Sequence, residues 1–259
     1  MCDLIWLTDA QLVRFEPFLP KSHGEPGFND RRVLSEIIFI IRNGFRWCNA
    51  PTECGPHKTL YNRWKRWSDK GVFIQMMAGL ATSHGEKKSK MIDATYLKAH
   101  RTATSLVVNI RGRGRLIGRT KIGMNTKLYH ICDSQGTPDE LVLTAGRVTD
   151  YNGAHTLISS LPKVEWLLGE RGCDADWFQE ALNDKGIHVC IPGRKQWKKP
   201  VKYDKRHFKR CNRIEIMFGR LNDRRHVGTL CDRCPNVFLA AISLAALVIF
   251  WLLVLTLVL

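Results

Sequence analysis

Met91-Ile92-Asp93-Ala94-Thr95-Tyr96-Leu97 decides the fold, because it is the first stretch of the chain with the composition of a strand rather than a helix. Upstream of it the texture is helical. Thr8 with Gln11 makes a capping box for a helix that runs to Phe18 and is ended by Pro20. A second helix covers residues 30–42, with Val33, Ile37, Ile38 and Ile41 on one face and Asn43-Gly44 as its stop. A third follows Pro56, where Leu60, Tyr61, Trp64 and Trp67 alternate with Arg63, Lys65 and Arg66. Such a helix either reads DNA as part of a helix-turn-helix or turns its aromatics into a core, and the sequence leaves both open. Residues 72–83 form one more helix, and 84–90 are a polar linker.

Downstream, residues 126–132 and 141–144 are two further β-like runs separated by Asp133, Gly136 and Pro138. Then come a helix at 152–161, a strand at 164–169, a helix at 174–185 and a strand at 187–191. The order predicts an α/β fold: a mixed sheet with helices laid over it, preceded by a small all-helical region. A last helix at 208–222 places Ile214, Met217, Phe218 and Leu221 at i, i+3, i+4 and i+7, one apolar stripe. Glu215 stands beside that stripe among Lys209, Arg210, Arg213 and Arg220.

Three acids are candidates for one site. Asp93 lies in the first strand, Glu170 at the C-terminal end of the fourth and Glu215 on the late helix. Ligand sites of α/β sheets gather at strand ends, and carboxylate oxygens suit hard divalent cations such as Mg²⁺. The alternative is plain ion pairing, for instance Glu170 with Arg171 or Arg147. The chain carries a formal net charge of +16, and the excess is clustered: eight Lys or Arg and no acid between Ala94 and Cys132, ten against Asp204 alone between Arg194 and Arg213. Such runs favour a polyanionic partner, most simply nucleic acid. Nine cysteines without a basic and then apolar leader point to a reduced, cytoplasmic compartment. Cys231-x-x-Cys234 lacks the second ligand pair of a zinc ribbon.

Several ordered blocks share one resemblance: D-R-R-V-L-S-E-I-I-F-I-I-R-N-G from Asp30, M-I-D-A-T-Y-L-K-A-H-R-T-A from Met91, I-G-R-T-K-I-G-M-N-T-K-L-Y from Ile117, L-L-G-E-R-G-C-D from Leu167 and R-I-E-I-M-F-G-R-L from Arg213. Over nearly its whole length the chain resembles the DDE transposases of the insertion-sequence-five family, often grouped with the insertion-sequence-four type. The resemblance implies a helical DNA-binding-like domain at 1–83, the linker at 84–90, and a ribonuclease H-like catalytic domain at 91–259. It also implies that Asp93, Glu170 and Glu215 are catalytic and hold two Mg²⁺ ions, with Mn²⁺ as substitute. Lys127, Arg194, Lys195, Lys198, Lys199, Lys202, Arg210 and Arg213 are then the candidate DNA contacts. The partners are the element's terminal repeats and target DNA, met by a homo-oligomer in the cytoplasm at the nucleoid. The chain departs from the family motifs at Glu170 (usually Asp), at Phe208, Cys211 and Asn222 (usually Tyr, Arg and Lys) and at Ile122 (usually Gly). An inactive DNA-binding remnant and a nuclease without strand transfer therefore stay in play.

From Val237 to Leu259 only Ser243 and Thr256 interrupt an apolar run, long enough to span a bilayer. It reads either as a buried helix with an apolar tail, which in the family packs on the sheet, or as a membrane anchor; the buried helix is the expectation.

Overall fold

The computed structural model describes residues 6–20, 29–84, 88–100, 103, 116–148, 150–158, 161, 163–193, 203–230 and 234–252. The chain forms two compact units, Met1–Leu80 with Leu221–Leu259, and Ala81–Arg220.

In the first unit, α1 (Asp9–Phe15) opens on the expected capping box and passes into a 3₁₀ turn, Glu16–Phe18. Helix α2 (Asp30–Asn43) is capped by Asn29 and ended by Gly44 at φ 70°, a left-handed position that glycine adopts without steric cost. Its burial is wider than one stripe, running through every residue from Val33 to Ile41. Leu7 N donates to Ser35 Oγ (3.1 Å), and Arg31 reaches back to the Leu7 carbonyl (2.7 Å) and Asp9 (2.6 Å), so α1 is tied to α2.

Helix α3 (His57–Asp69) resolves the choice about its aromatics, since Leu60, Trp64 and Trp67 are buried and Tyr61 is exposed. Trp64 packs on Phe73 of α4 (Val72–His84), ring centroids 4.8 Å apart. The C-terminal helix Pro235–Leu247 packs on α2 and α3. The described residues from Leu221 onward group with the N-terminal helices, whereas the expectation put them in the catalytic domain, and the apolar surface of those helices takes up a helix buried from Ala240 to Leu247. Its apolar stretch Pro235–Leu252 has mean hydropathy 2.1, enough for a membrane span, yet 78% of it is buried within the protein.

The second unit carries the sheet. β1 (Ser89–Ala99) pairs antiparallel with β3 (Gly123–Asp133), which pairs antiparallel with β4 (Pro138–Ala145) and, at its start, with β2 (Gly118–Thr120). On its other side β1 runs parallel to β5 (Trp166–Gly169), and β5 parallel to β6 (His188–Cys190). The spatial order β4-β3-β1-β5-β6, an antiparallel meander extended by two parallel strands, is the ribonuclease H-like arrangement expected from the sequence. Helices α5 (Asp150–Ile158) and α6 (Asp176–Asp184) supply the crossovers that parallel strands require.

Because side chains alternate across a strand, β1 sorts its residues to two faces. Ile92 lies in the core with Tyr129, Ile131, Leu157, Leu167, Phe178 and Leu182. Gly153 of α5 sits so close to the Tyr129 ring that a Cβ there would lie 2.1 to 2.4 Å from ring atoms. Met91 and Asp93 belong to the opposite face, where helix α7 (Asn212–Asn222) lies: its Phe218 meets the ring of His130 at 4.1 Å. Ile214, Met217, Phe218 and Leu221 are all buried, as the stripe predicts. The single helix expected over 208–222 is broken, however, by a 3₁₀ turn at Lys209–Cys211.

Candidate active site

The register builds the site. Ile92 pairs with Gly169 across the parallel β1–β5 ladder, so the next residues, Asp93 and Glu170, stand side by side. Glu170 keeps an extended backbone (φ −81°, ψ 166°), which continues β5 by one position before the 3₁₀ turn Arg171–Cys173 starts. Strands in a sheet lie about 4.8 Å apart, and residues in register point to the same face. Across the other ladder Asp93 pairs with His130, so Glu170, Asp93 and His130 form one row. Asp93 is half-buried and Glu170 exposed.

The third acid comes from above this row. Phe218 rests on His130; one turn earlier, at i−3, α7 carries exposed Glu215, and four residues before that lies buried Cys211. The Cys211 thiol registers the convergence: its pKa is pushed up to about 12, first by burial, then by the charges of Cys190, Glu170, Asp93 and Glu215. Three acids far apart in sequence thus lie near enough to one thiol to raise its pKa. Among the described residues, no three His, Cys, Asp or Glu side chains already hold the spacing of a metal cage. The donor set fits a hard divalent cation in kind, carboxylate oxygens at a strand end.

His130 is the residue that sequence reasoning missed. It is fully buried, neither ring nitrogen has a hydrogen-bond partner, and burial drives its pKa down to about 3. It is a neutral imidazole directly beside the first acid. Cys190 and Cys132 share this face, paired with Leu168 and Met91, and burial raises both thiols. Only the register could have assembled this set, since nothing in the local sequence ties Cys190 to Cys211.

The expected DNA contacts fare unevenly. Lys127 is corrected: it is 3% exposed and pairs with Tyr96 on the face opposite the acids, its Nζ 4.8 Å from the Tyr96 ring and 5.3 Å from that of Tyr129. A cation packed between two rings in the core does not reach a phosphate over Asp93. Arg213 donates to the Ser134 carbonyl and to Gln135 Oε1 (2.9 Å), which ties α7 to the β3–β4 turn. Arg210 is exposed on the 3₁₀ turn before α7. Arg194, Lys195, Lys198, Lys199 and Lys202 lie outside the described residues.

Residues 7–77 match the family described as "Putative transposase of IS4/5 family", and residues 167–252 the family "Transposase DDE domain". The second match contains Glu170 and Glu215; Asp93 falls between the two. An uncharacterized protein, y4sN, of Sinorhizobium fredii is 31% identical over 46% of this chain and 94% of its own length. The "Putative transposase for insertion sequence element IS402" of Burkholderia cepacia is 30% identical over 39% of this chain and 59% of its own. That for IS6501 of Brucella ovis is 28% identical over 50% and 99%. Among solved structures, a piggyBac transposase synaptic complex with hairpin DNA aligns with TM-score 0.42 and 12% identity, over 76% of this chain and 53% of that one. The strand order, rather than that likeness, carries the fold.

Proposed function

Since this chain belongs to the insertion-sequence-four/five family of DDE transposases, we propose that it cuts DNA at the ends of an insertion sequence and joins the freed 3′-hydroxyl to target DNA. The observation that supports this most is the convergence of Asp93, Glu170 and Glu215 on Cys211. Divalent cations held by these carboxylates would supply the Lewis acidity that in-line displacement at phosphorus needs.

The protein's own part follows from position. Asp93 sits mid-strand, paired with His130 on one side and next to the last paired residue, Ile92, on the other, so its carboxylate is the best-fixed of the three. Glu170 adds a second carboxylate from the neighbouring strand end, and Glu215 a third from α7. His130 and Phe218 fill the space beneath with rings that carry no charge at neutral pH, which keeps water from behind the acids. Arg210, exposed on the turn that carries Cys211, is the cation assigned to a phosphate next to them. The chain works on DNA, as a homo-oligomer that brings element ends together, in the cytoplasm at the nucleoid.

Two departures support a second reading, in which the protein still binds DNA but no longer cuts it. Glu170 is one methylene longer than the usual Asp, and Cys211 is neutral where the family has Arg. Incubating labelled end DNA with the wild type and with Asp93→Asn, in Mg²⁺ and in Mn²⁺, separates the two. Cleavage by the wild type alone supports the enzyme; binding without cleavage in either metal supports the remnant.

A further inference from the structure

The β2–β3 hairpin has no part in the site above, yet it is built to hold an apolar residue in solvent. Thr120 pairs with Gly123, so Lys121 and Ile122 form a two-residue tip, and Gly123 closes it at φ 115°. The tip is stapled from inside. Ile122 N donates to Thr120 Oγ1 (3.3 Å), which donates in turn to the Gly123 carbonyl (3.2 Å). Buried Asn125 donates through Nδ2 to both of those oxygens, at 2.6 and 3.0 Å. On this fixed frame Ile122 is 72% exposed and Met124 is 39% exposed, with exposed Arg119 and Lys121 beside them.

Exposed apolar side chains cost solubility and bring nothing to a core, so a braced hairpin presenting Ile122 next to Lys121, with Arg119 paired to Met124 one step back, asks for a partner with negative charge outside and apolar surface within. Duplex DNA is such a partner: phosphates meet the cations, and apolar wedges such as Ile and Met enter between stacked bases. The charge complements it, for Arg119 and Lys121 belong to the acid-free run between Ala94 and Cys132. Position agrees too. β3 is antiparallel to β1, so the hairpin projects beyond the end of the sheet at which Glu170 lies. Gly123, where the tip closes, stands about 24 Å from His130 along β3, at ~3.4 Å per residue.

We propose that Ile122 is a DNA wedge: the hairpin sets it between two base pairs of the bound duplex, with Arg119 and Lys121 on the flanking phosphates. This rests on the reading of the protein as a DNA-binding transposase and adds to it a residue outside the acid cluster.

A wedge gains where stacking is already weak. The test compares affinity, by fluorescence anisotropy, for a fully paired duplex of about thirty base pairs and the same duplex with one central mismatch. The wild type prefers the mismatch by roughly tenfold. Ile122→Gly weakens binding to both duplexes, to the mismatched one more, and brings the two affinities within about twofold, whereas Ile122→Leu retains the preference. Arg119→Ala with Lys121→Ala weakens binding to both duplexes and lowers the slope of log K on log salt by roughly 0.9 for each phosphate that is no longer neutralised. The proposal is overturned if Ile122→Gly keeps the full preference, if the wild type binds both duplexes equally, or if Ile122→Gly acts only by breaking self-association in sedimentation. A wild type that binds neither duplex overturns the DNA reading itself, so the two failures are distinguishable.

Discussion

Replacing His130 with Leu should make the protein resist acid, and the size of the effect follows from where the imidazole sits. In the folded chain its pKa is about 3 because it is fully buried beside Phe218; in the unfolded chain a histidine titrates near 6.5. The folded value is depressed, so as pH falls the unfolded chain takes up the proton first. The contribution is fully present above about 6.5 and is lost progressively toward 3, at about 1.4 kcal/mol per pH unit. At pH 5 that amounts to about 2 kcal/mol, a large part of the 5–15 kcal/mol typical of a folded domain. Leu is close to His in volume and leaves no buried nitrogen unpartnered, so His130→Leu should be at least as stable as the wild type at pH 8. The assay is urea unfolding of both proteins in chelator, from pH 8 to pH 5. The other histidines titrate alike in both and cancel in the difference. The gap between the variants should be flat above pH 7 and widen by about 2 kcal/mol at pH 5; a gap that stays constant through this range refutes a neutral, buried His130.

Three further outcomes follow. Gly153→Ala places a methyl against the Tyr129 ring, and overpacking of about 1–3 kcal/mol outweighs a helix-propensity gain of at most ~1 kcal/mol, so thermal unfolding should move to lower temperature; an unchanged or raised midpoint contradicts the close packing. Iodoacetamide at pH 8 should modify exposed Cys48 on the order of a thousandfold faster than Cys211, whose thiol is raised to about 12, and comparable rates by mass spectrometry would count against the crowded thiol. Glu170→Asp draws the carboxylate back by about 1.5 Å and should change Mg²⁺-dependent cleavage by up to a hundredfold, upward; a fall in rate would show that the site has adapted to Glu.

Much of the second unit was legible because its cues are local. Five strands announced themselves by β-branched and apolar runs between turn residues, while the three-residue β2 did not, and the stripe of Ile214, Met217, Phe218 and Leu221 told which side of α7 is buried. Parity could have told more: Lys127 and His130 are three apart on one strand, hence on opposite faces, so Lys127 could not share a face with Asp93's partner. What needed the structure was pairing between distant segments. The Ile92–Gly169 register that sets Asp93 beside Glu170 depends on which strands become neighbours. The 3₁₀ break at Lys209–Cys211 leaves no mark in the periodicity. The C-terminal helix looked the same whether its apolar surface met a sheet, a membrane or, as it does, α2 and α3.

The central claim is that Asp93, Glu170 and Glu215 are one metal site, and affinity cleavage addresses it without relying on activity. Fe²⁺ with ascorbate, bound in place of Mg²⁺, generates hydroxyl radicals that cut the backbone near the ion. The account predicts cuts at three places far apart in sequence, around residues 93, 170 and 215, suppressed together by excess Mn²⁺ and lost together in Asp93→Asn. Cuts at only one of the three, or three cuts that Asp93→Asn leaves untouched, would contradict it.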